Sequence, residues 1–395
     1  MSRRVLFLFV CFLSIAAAAQ DFAPPAPQRL VVHSNVLNED RVILVRMPAA
    51  AQRGKSRYAV LYLTDGDGHI NEIGSTIDFL VNNDRMPPLI VVGITNTDRT
   101  RDLTPTRWPM APNEKPVGGG ADKFLDFIQT ELVPEIDKRY PTEPFRVFAG
   151  HSLGGLIAIH ALITRPDLFN AYIAVSPSLQ WDDGKTLHQA QAFFAKQKEY
   201  RKALFFSLAN EGDRPNPMGA NFEQLQKTLS GNLPKGFVAK SERYHDEDHG
   251  STVLRAHYAG LRTIFADWQM PRDPMNGLPA GGLKGIELHS QELSDRYGFR
   301  VSVEAKINQL GYAFLGMKKV DEAIAAFQRN VELYPASANV YDSLGDGYEA
   351  AGKLDLAMQN TRKAVATGKQ NGDPQLPEFK KHLDRLSQGP TEPRP

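Results

Sequence analysis

Cysteine is all but missing from this 395-residue chain: the single one, Cys11, lies in the apolar run near the N-terminus. Beyond it there is no thiol, which excludes disulfides, a cysteine nucleophile and cysteine-ligated zinc together. An excess of charge of one sign is missing as well. Lys and Arg number 46 against 45 Asp and Glu, a formal net charge of +1. That balance gives no electrostatic footprint for a nucleic-acid partner. Past the N-terminal run, no apolar stretch is long enough to cross a bilayer. What remains is 42% hydrophobic and 23% charged, an ordinary globular composition, with length for about two or three domains.

The first residues read Met1-Ser2-Arg3-Arg4, then an apolar run from Val5 to Ile15, then Ala16 to Ala19. These are the n-region, h-region and small-residue end of a secretory signal peptide. Residues 1–19 are therefore expected to be removed after Ala19, leaving a secreted, periplasmic chain without a transmembrane span. Cys11 follows Val10 and sits inside the run, which does not suit a lipoprotein cysteine. Residues 20–28 form a Pro-rich leader.

From there strands alternate with helical stretches. Leu30 to Ser34 and Arg41 to Met47 read as an opening strand pair. Tyr58 to Thr64, Pro88 to Ile94, Ala171 to Val175 and Ala203 to Leu208 are near-continuous apolar runs, as in strands buried on both faces. Ala121 to Tyr140 has helical periodicity, and a strand is expected at Phe237 to Arg243. The alternation predicts an α/β domain over 29–268, with a doubly wound, mostly parallel sheet. Residues 269–287, rich in Pro and Gly at Gln269 to Gly285, read as a linker, and 288–390 as a small all-α domain.

That last domain contains a 34-residue repeat. Leu310-Gly311 recurs as Leu344-Gly345, Phe314 as Tyr348, Val320 as Leu354 and Ala323 as Ala357. Period and residue types match the tetratricopeptide pattern. The second unit departs from it at Thr361, where an aromatic is usual, and at Lys369, where proline is usual. Two units are fewer than a free-standing array needs. Docking on flanking helices or on the α/β domain, self-association, or binding a protein partner are the roles open to it.

The most informative stretch is Phe145 to His160. An apolar strand runs into Gly150-His151-Ser152-Leu153-Gly154-Gly155 and out into an Ala/Leu/Ile-rich helix. Strand, G-x-S-x-G and helix in that order make the nucleophile elbow of an α/β-hydrolase, with Ser152 as nucleophile. Such a fold supplies its triad in the order Ser, acid, His. Ala203 to Leu208 is followed by Ala209-Asn210-Glu211-Gly212-Asp213, and later comes His245-Asp246-Glu247-Asp248-His249-Gly250-Ser251. His249 is the expected general base, with His245 as rival. Glu211, nearer the strand end, is favoured as acid over Asp213. The oxyanion hole needs two backbone N–H groups. Leu153 follows the nucleophile, and Asp67 lies in the Asp65-Gly66-Asp67-Gly68 turn after Tyr58–Thr64.

Tyr62-Leu63-Thr64-Asp65-Gly66-Asp67, the elbow, Ser176-Pro177-Ser178-Leu179-Gln180-Trp181 and His249-Gly250-Ser251 together resemble the esterase D/enterochelin esterase-like group of α/β-hydrolases. The resemblance covers roughly residues 28–270. That group includes siderophore trilactone esterases, feruloyl esterases, S-formylglutathione hydrolases and mycolyltransferases. It implies a nucleophile at Ser152, a base at His249 and oxyanion donors at Leu153 and Asp67, while the acid position varies across the group. Gln180 stands where related chains with C-terminal repeats often have an aromatic.

The reading is a serine esterase acting through an acyl-enzyme on a small-molecule ester, of siderophore-lactone or aryl-ester type. This chemistry requires no metal or organic cofactor. Trp181 is a substrate platform or core packing, and His151 lines the pocket. Arg99 and Arg101 either meet an anionic substrate or fix their loop through Arg–Asp pairs. The alternatives are acyl transfer by the same triad, and a non-catalytic protein working through its repeats.

Overall fold

The computed structural model describes residues 26–49, 51, 56–111, 113–211, 217–231 and 233–388. The expected signal peptide, most of the Pro-rich leader and Asp213 lie outside the described residues. The chain divides into two compact units, the first ending at Phe265 and the second starting at Ala266.

The first unit is built on an eight-stranded sheet. Its strands are β1 (Gln28–Ser34), β2 (Glu39–Arg46), β3 (Tyr58–Leu63), β4 (Leu89–Ile94), β7 (Thr142–His151), β8 (Ala171–Val175), β9 (Ala203–Leu208) and β10 (Val238–Arg243). They lie in the order β1-β2-β4-β3-β7-β8-β9-β10. β1 pairs antiparallel with β2 and β2 with β4; every later pair is parallel. Every residue of β3, β4 and β8 is buried, while β1 and β10 at the edges are part exposed. This is the burial expected where helices cover both faces of the parallel core. A separate two-stranded ribbon pairs β5 (Arg107–Trp108) with β6 (Val117–Gly118).

The helices of this unit are α1 (Gly66–Asn82), α2 (Arg99–Leu103), α3 (Ala121–Phe127), α4 (Val133–Arg139), α5 (Leu153–Thr164), α6 (Lys185–Phe194), α7 (Pro217–Leu229) and α8 (Thr252–Ile264). α1 packs with α8, and α5 with α6. Where one helix was expected over Ala121 to Tyr140, α3 and α4 are joined by a π-helical turn at Ile128–Leu132. Pro134 follows at the second residue of α4. Its missing N–H cannot close the ordinary i→i−4 ladder, and the widened turn accommodates the break.

The second unit is helical: α9 (Gly282–Tyr297), α10 (Glu304–Gly316), α11 (Val320–Leu333), α12 (Ala338–Ala350), α13 (Leu354–Asn371) and α14 (Leu376–Ser387). α9 begins inside the stretch expected to be linker. Gly281 at φ 75° turns the chain, and a Cβ on Gly285 would collide with the Ala280 backbone. The glycines that made this segment look like a loop are the ones its tight entry into a helix requires. α10 packs on α11, α12 on α13, and α14 on α13.

Candidate active site

Ser152 stands between the end of β7 and the start of α5, with φ 60° and ψ −115°. Non-glycine residues rarely occupy such a conformation, and holding one there costs on the order of 1–3 kcal/mol. Neighbouring bonds impose it. The Ser152 amide donates to the Val175 carbonyl at 2.9 Å, and its carbonyl accepts from Leu156 at 3.0 Å and Ser178 at 3.1 Å. A Cβ on Gly150 would sit 2.6 Å from Thr64 Oγ1, and one on Gly154 would strike the same hydroxyl. The small residues of the elbow thus let the segment after β3 lie directly against it.

The Ser152 hydroxyl is hydrogen-bonded to the Ser178 hydroxyl at 3.2 Å. Ser178 belongs to the turn after β8, which the Ser176 hydroxyl ties to β9 by accepting from the Ala209 amide at 3.0 Å. The Ser176-Pro177-Ser178 motif was legible, but nothing in spacing alone aimed Ser178 at the nucleophile.

After β9, the Glu211 carboxylate meets His249 Nδ1, at 3.0 Å from Oε2 and 3.1 Å from Oε1. The two loops are sewn together by the Asn210 amide, which donates to the Glu247 carbonyl at 2.8 Å. The His249 turn is fixed from within: Asp248 Oδ1 accepts from the amides of Gly250 at 2.9 Å and Ser251 at 2.7 Å. His245 is exposed. Asp246 and Glu247 are taken up by Arg255.

Leu153 and Asp67 each fall in the first turn of a helix, α5 and α1. Amides there have no intrahelical partner, and the helix end carries partial positive charge. The two turns are strapped to each other. Asp65, at φ 55° just before α1, accepts from Arg99 Nε at 2.6 Å, Arg99 Nη2 at 3.1 Å and Asn96 Nδ2 at 2.7 Å. Arg99 Nη2 also donates to the carbonyl of His151, next to the nucleophile, at 3.2 Å. Burial works to raise the Asp65 carboxyl, but Arg99 and Asn96 outweigh it and hold it below the usual carboxylate range. Arg99 therefore carries the Asp–Arg pairing while remaining about a third exposed. Arg101 spends its guanidinium on Glu39, at 2.6 and 3.0 Å, and on Asp102 at 2.7 Å. Its contacts are those of the loop-fixing reading.

The His151 ring lies 4.5 Å from that of His249, centre to centre. Burial, and then the neighbouring His249, push His151 down to about 4, so it is neutral at physiological pH. His69 stands 6.2 Å from His151, ring centre to ring centre, and its own value is lowered by burial and by His257. His69 was not singled out in the sequence, where it closes the loop Asp65-Gly66-Asp67-Gly68-His69 expected after Tyr58–Thr64; in the structure it lies in α1. Trp181 is 7% exposed and donates Nε1 to the Thr106 carbonyl at 2.9 Å, beside the β5–β6 ribbon. It is a wall of the core with one edge near that ribbon. Among the described residues no helix is long and apolar enough to cross a membrane.

With this geometry in view, comparison with known proteins gives one family: a model described as "Putative esterase" matches residues 34–255. The chain is 35% identical over 196 residues to the siderophore triacetylfusarinine C esterase of Aspergillus fumigatus, covering 43% of this chain and 65% of that one. That is just under two thirds of the relative's length. It is 31% identical over 219 residues to the ferri-bacillibactin esterase BesA of Bacillus subtilis, covering 50% of this chain and 75% of that one. It is 32% identical over 252 residues to the siderophore enterobactin esterase of Emericella nidulans, covering 53% and 82%. Among solved structures, an IroE-like serine hydrolase from Shewanella oneidensis aligns with TM-score 0.61 and 26% identity, over 92% of this chain and 99% of that one. The siderophore hydrolase EstB from Aspergillus nidulans aligns with TM-score 0.53 and 26% identity, over 63% and 99%.

Proposed function

From the premise that this chain belongs to the "Putative esterase" family and is a serine hydrolase acting on ester bonds, we propose that it hydrolyses siderophore-type esters through Ser152, His249 and Glu211. The contact between His249 Nδ1 and the Glu211 carboxylate carries the reading. It fixes the imidazole with Nδ1 protonated and frees Nε2 to act as base.

The Ser152 hydroxyl leaves Ser178, passes its proton to His249 Nε2 and attacks the ester carbonyl. The amides of Leu153 and Asp67 receive the oxyanion, each donor of this kind supplying about 3–4 kcal/mol of transition-state stabilisation. His249 returns the proton to the departing alcohol. Water, deprotonated by the same nitrogen, then releases the acid from Ser152. Glu211 stabilises the imidazolium through both steps. Neutral His151 beside it adds no opposing charge. The partly exposed Arg99 faces an anionic substrate with whatever hydrogen-bonding capacity Asp65 leaves. Three relatives acting on siderophores by name support the substrate class.

The organisation proposed with this activity is a secretory leader at 1–19, a catalytic domain at 29–268 and tetratricopeptide-like repeats within 288–390, giving a periplasmic esterase. The repeat reading is supported by equivalent packing 34 residues apart. A Cβ on Gly311 would press on Phe327, and one on Gly345 would press on Thr361.

The test is fluorophosphonate labelling together with hydrolysis of a trilactone siderophore. The wild type is expected to label and to release the linear acid, and Ser152→Ala to do neither while keeping its circular dichroism spectrum. Glu211→Gln should lower kcat by about 10⁴-fold, the loss seen when a triad acid can no longer hold its tautomer. Labelling that survives Ser152→Ala overturns the nucleophile. Full kcat in Glu211→Gln moves the acid elsewhere. Labelling without siderophore hydrolysis keeps the triad and rejects the substrate.

A further inference from the structure

The base of the site and one of its oxyanion donors hang on two different helices. α1 holds Asp67 in its first turn, and α8 begins at Thr252, three residues after His249. α1 packs on β2, β3 and β4, and α8 on β8 and β9. β7, which ends at the nucleophile, lies between those two sets of strands. The sheet therefore seats each helix separately, and their mutual spacing is set where they touch each other.

That contact contains a buried bond between His257 of α8 and Glu72 of α1. His257 is 0% exposed. Its Nδ1 lies 3.0 Å from Glu72 Oε2 and 3.3 Å from Oε1. Among the described residues its Nε2 is buried without a hydrogen bond, so the Glu72 carboxylate fixes the rotation of the ring. An apolar side chain would fill the same space without leaving a nitrogen unpaired. What the histidine adds is the bond to Glu72. From His257 a row of rings leads back to the base. His69, one turn before Glu72 on the same face of α1, lies 6.2 Å from His257 and 6.2 Å from His151, edge-on to both, and His151 lies 4.5 Å from His249. Rings at these separations are in contact, and a close-packed interior transmits displacement along them. The outer contact of the same two helices is of another kind. Phe79, in the last turn of α1, meets Tyr258 at 6.5 Å with both rings exposed.

We propose that Glu72 and His257 are positioning residues for ester hydrolysis: their buried bond braces α1 against α8 and holds the Asp67 amide and the His249 imidazole at the spacing one reacting carbonyl requires. The inference rests on the catalytic roles proposed for Ser152, His249 and Asp67. A displacement of about 1 Å between catalytic groups costs about 10²-fold in rate. Such a loss falls on the transition state and leaves substrate binding alone, so it is read in kcat and not in KM.

The full chain is labelled with a fluorophosphonate and assayed on a short-chain p-nitrophenyl ester beside Ser152→Ala, Glu72→Ala, Glu72→Gln and Phe79→Ala, well below each thermal midpoint. Glu72→Ala is expected to lose about 10–100-fold in kcat with KM within about twofold. Glu72→Gln still accepts from His257 Nδ1 and should recover most of that loss. Phe79→Ala removes the outer contact and should lower the thermal midpoint while kcat stays. If Glu72→Ala does not fold, His257→Leu, which fills the space without the bond, carries the same expectation. Wild-type kcat in the folded brace variant overturns the proposal. An equal loss in Phe79→Ala overturns it too, because any loosening of the helix pair would then suffice, and so does a Glu72→Gln that recovers nothing. Labelling that does not depend on Ser152 is a separate failure: it rejects the catalytic roles themselves, and the brace with them.

Discussion

His151 shows what a single residue's surroundings add to its identity. In the elbow motif it is one letter beside the nucleophile. In the structure it is a buried imidazole, neutral down to about pH 4, packed against the His249 ring. The unfolded chain binds a proton at this histidine near pH 6.5. Between that value and about 4, the unfolded state therefore carries more protons than the folded one, and stability falls as pH falls. Above the window His151 contributes no pH dependence. His151→Gln removes this proton uptake, so its thermal midpoint should drop less than the wild type's between pH 7.5 and pH 5. Equal drops in both would place the acid sensitivity elsewhere. The strand–helix turn at Ser152 and the meeting of Glu211 with His249 were legible in the sequence because chain order and the residues after each strand narrow the candidates for a hydrolase triad. Ser178, His69 and the Asp65–Arg99 strap were not. They join segments far apart in the chain, and nothing local to any of them signals the meeting.

At the scale of elements, strand positions were legible almost to the residue, since an apolar run buried on both faces has one interpretation once helices flank it. β8 and β9 fall at the expected bounds, and β3 and β4 within one residue of them. What escaped was backbone detail set by single residues: the π turn before Pro134 and the glycine-led entry into α9. The helix pairs of the second unit carry their own constraint. α10 and α11 approach closely because Gly311 leaves room for the Phe327 ring, and a Cβ there would come within 2.6 Å of the ring's Cζ. Phe327 is fully buried. Gly311→Ala should therefore destabilise the helical unit by about 1–3 kcal/mol through overpacking, even though alanine favours a helix. A denaturant titration of the full chain should show that loss in the helical transition, with ester turnover unaltered. A stabilised variant would mean that the helix pair opens without cost.

On the scale of the whole molecule, the question is whether the catalytic unit stands without the helical one. Its core answers from composition: the large buried cluster runs from Val32 to Phe237 and closes entirely within the first unit. Phe265 completes that unit by packing its ring on Phe145, 5.9 Å between centres. The helical unit has separate cores around Ile307, Tyr341 and Phe327. A unit of this size buries enough apolar surface to fold alone. The proposed triad Ser152, His249 and Glu211, the amides of Leu153 and Asp67 and the Arg99 strap all precede Phe265. A chain ending at residue 268 is therefore expected to remain soluble, to label with a fluorophosphonate and to turn over short-chain esters at the full chain's kcat. A rise in KM for a bulky siderophore alone would assign substrate binding to the helical unit. Loss of labelling in a folded truncated chain would mean that residues after 268 support the triad itself, and the independence argued from the separate cores would fail.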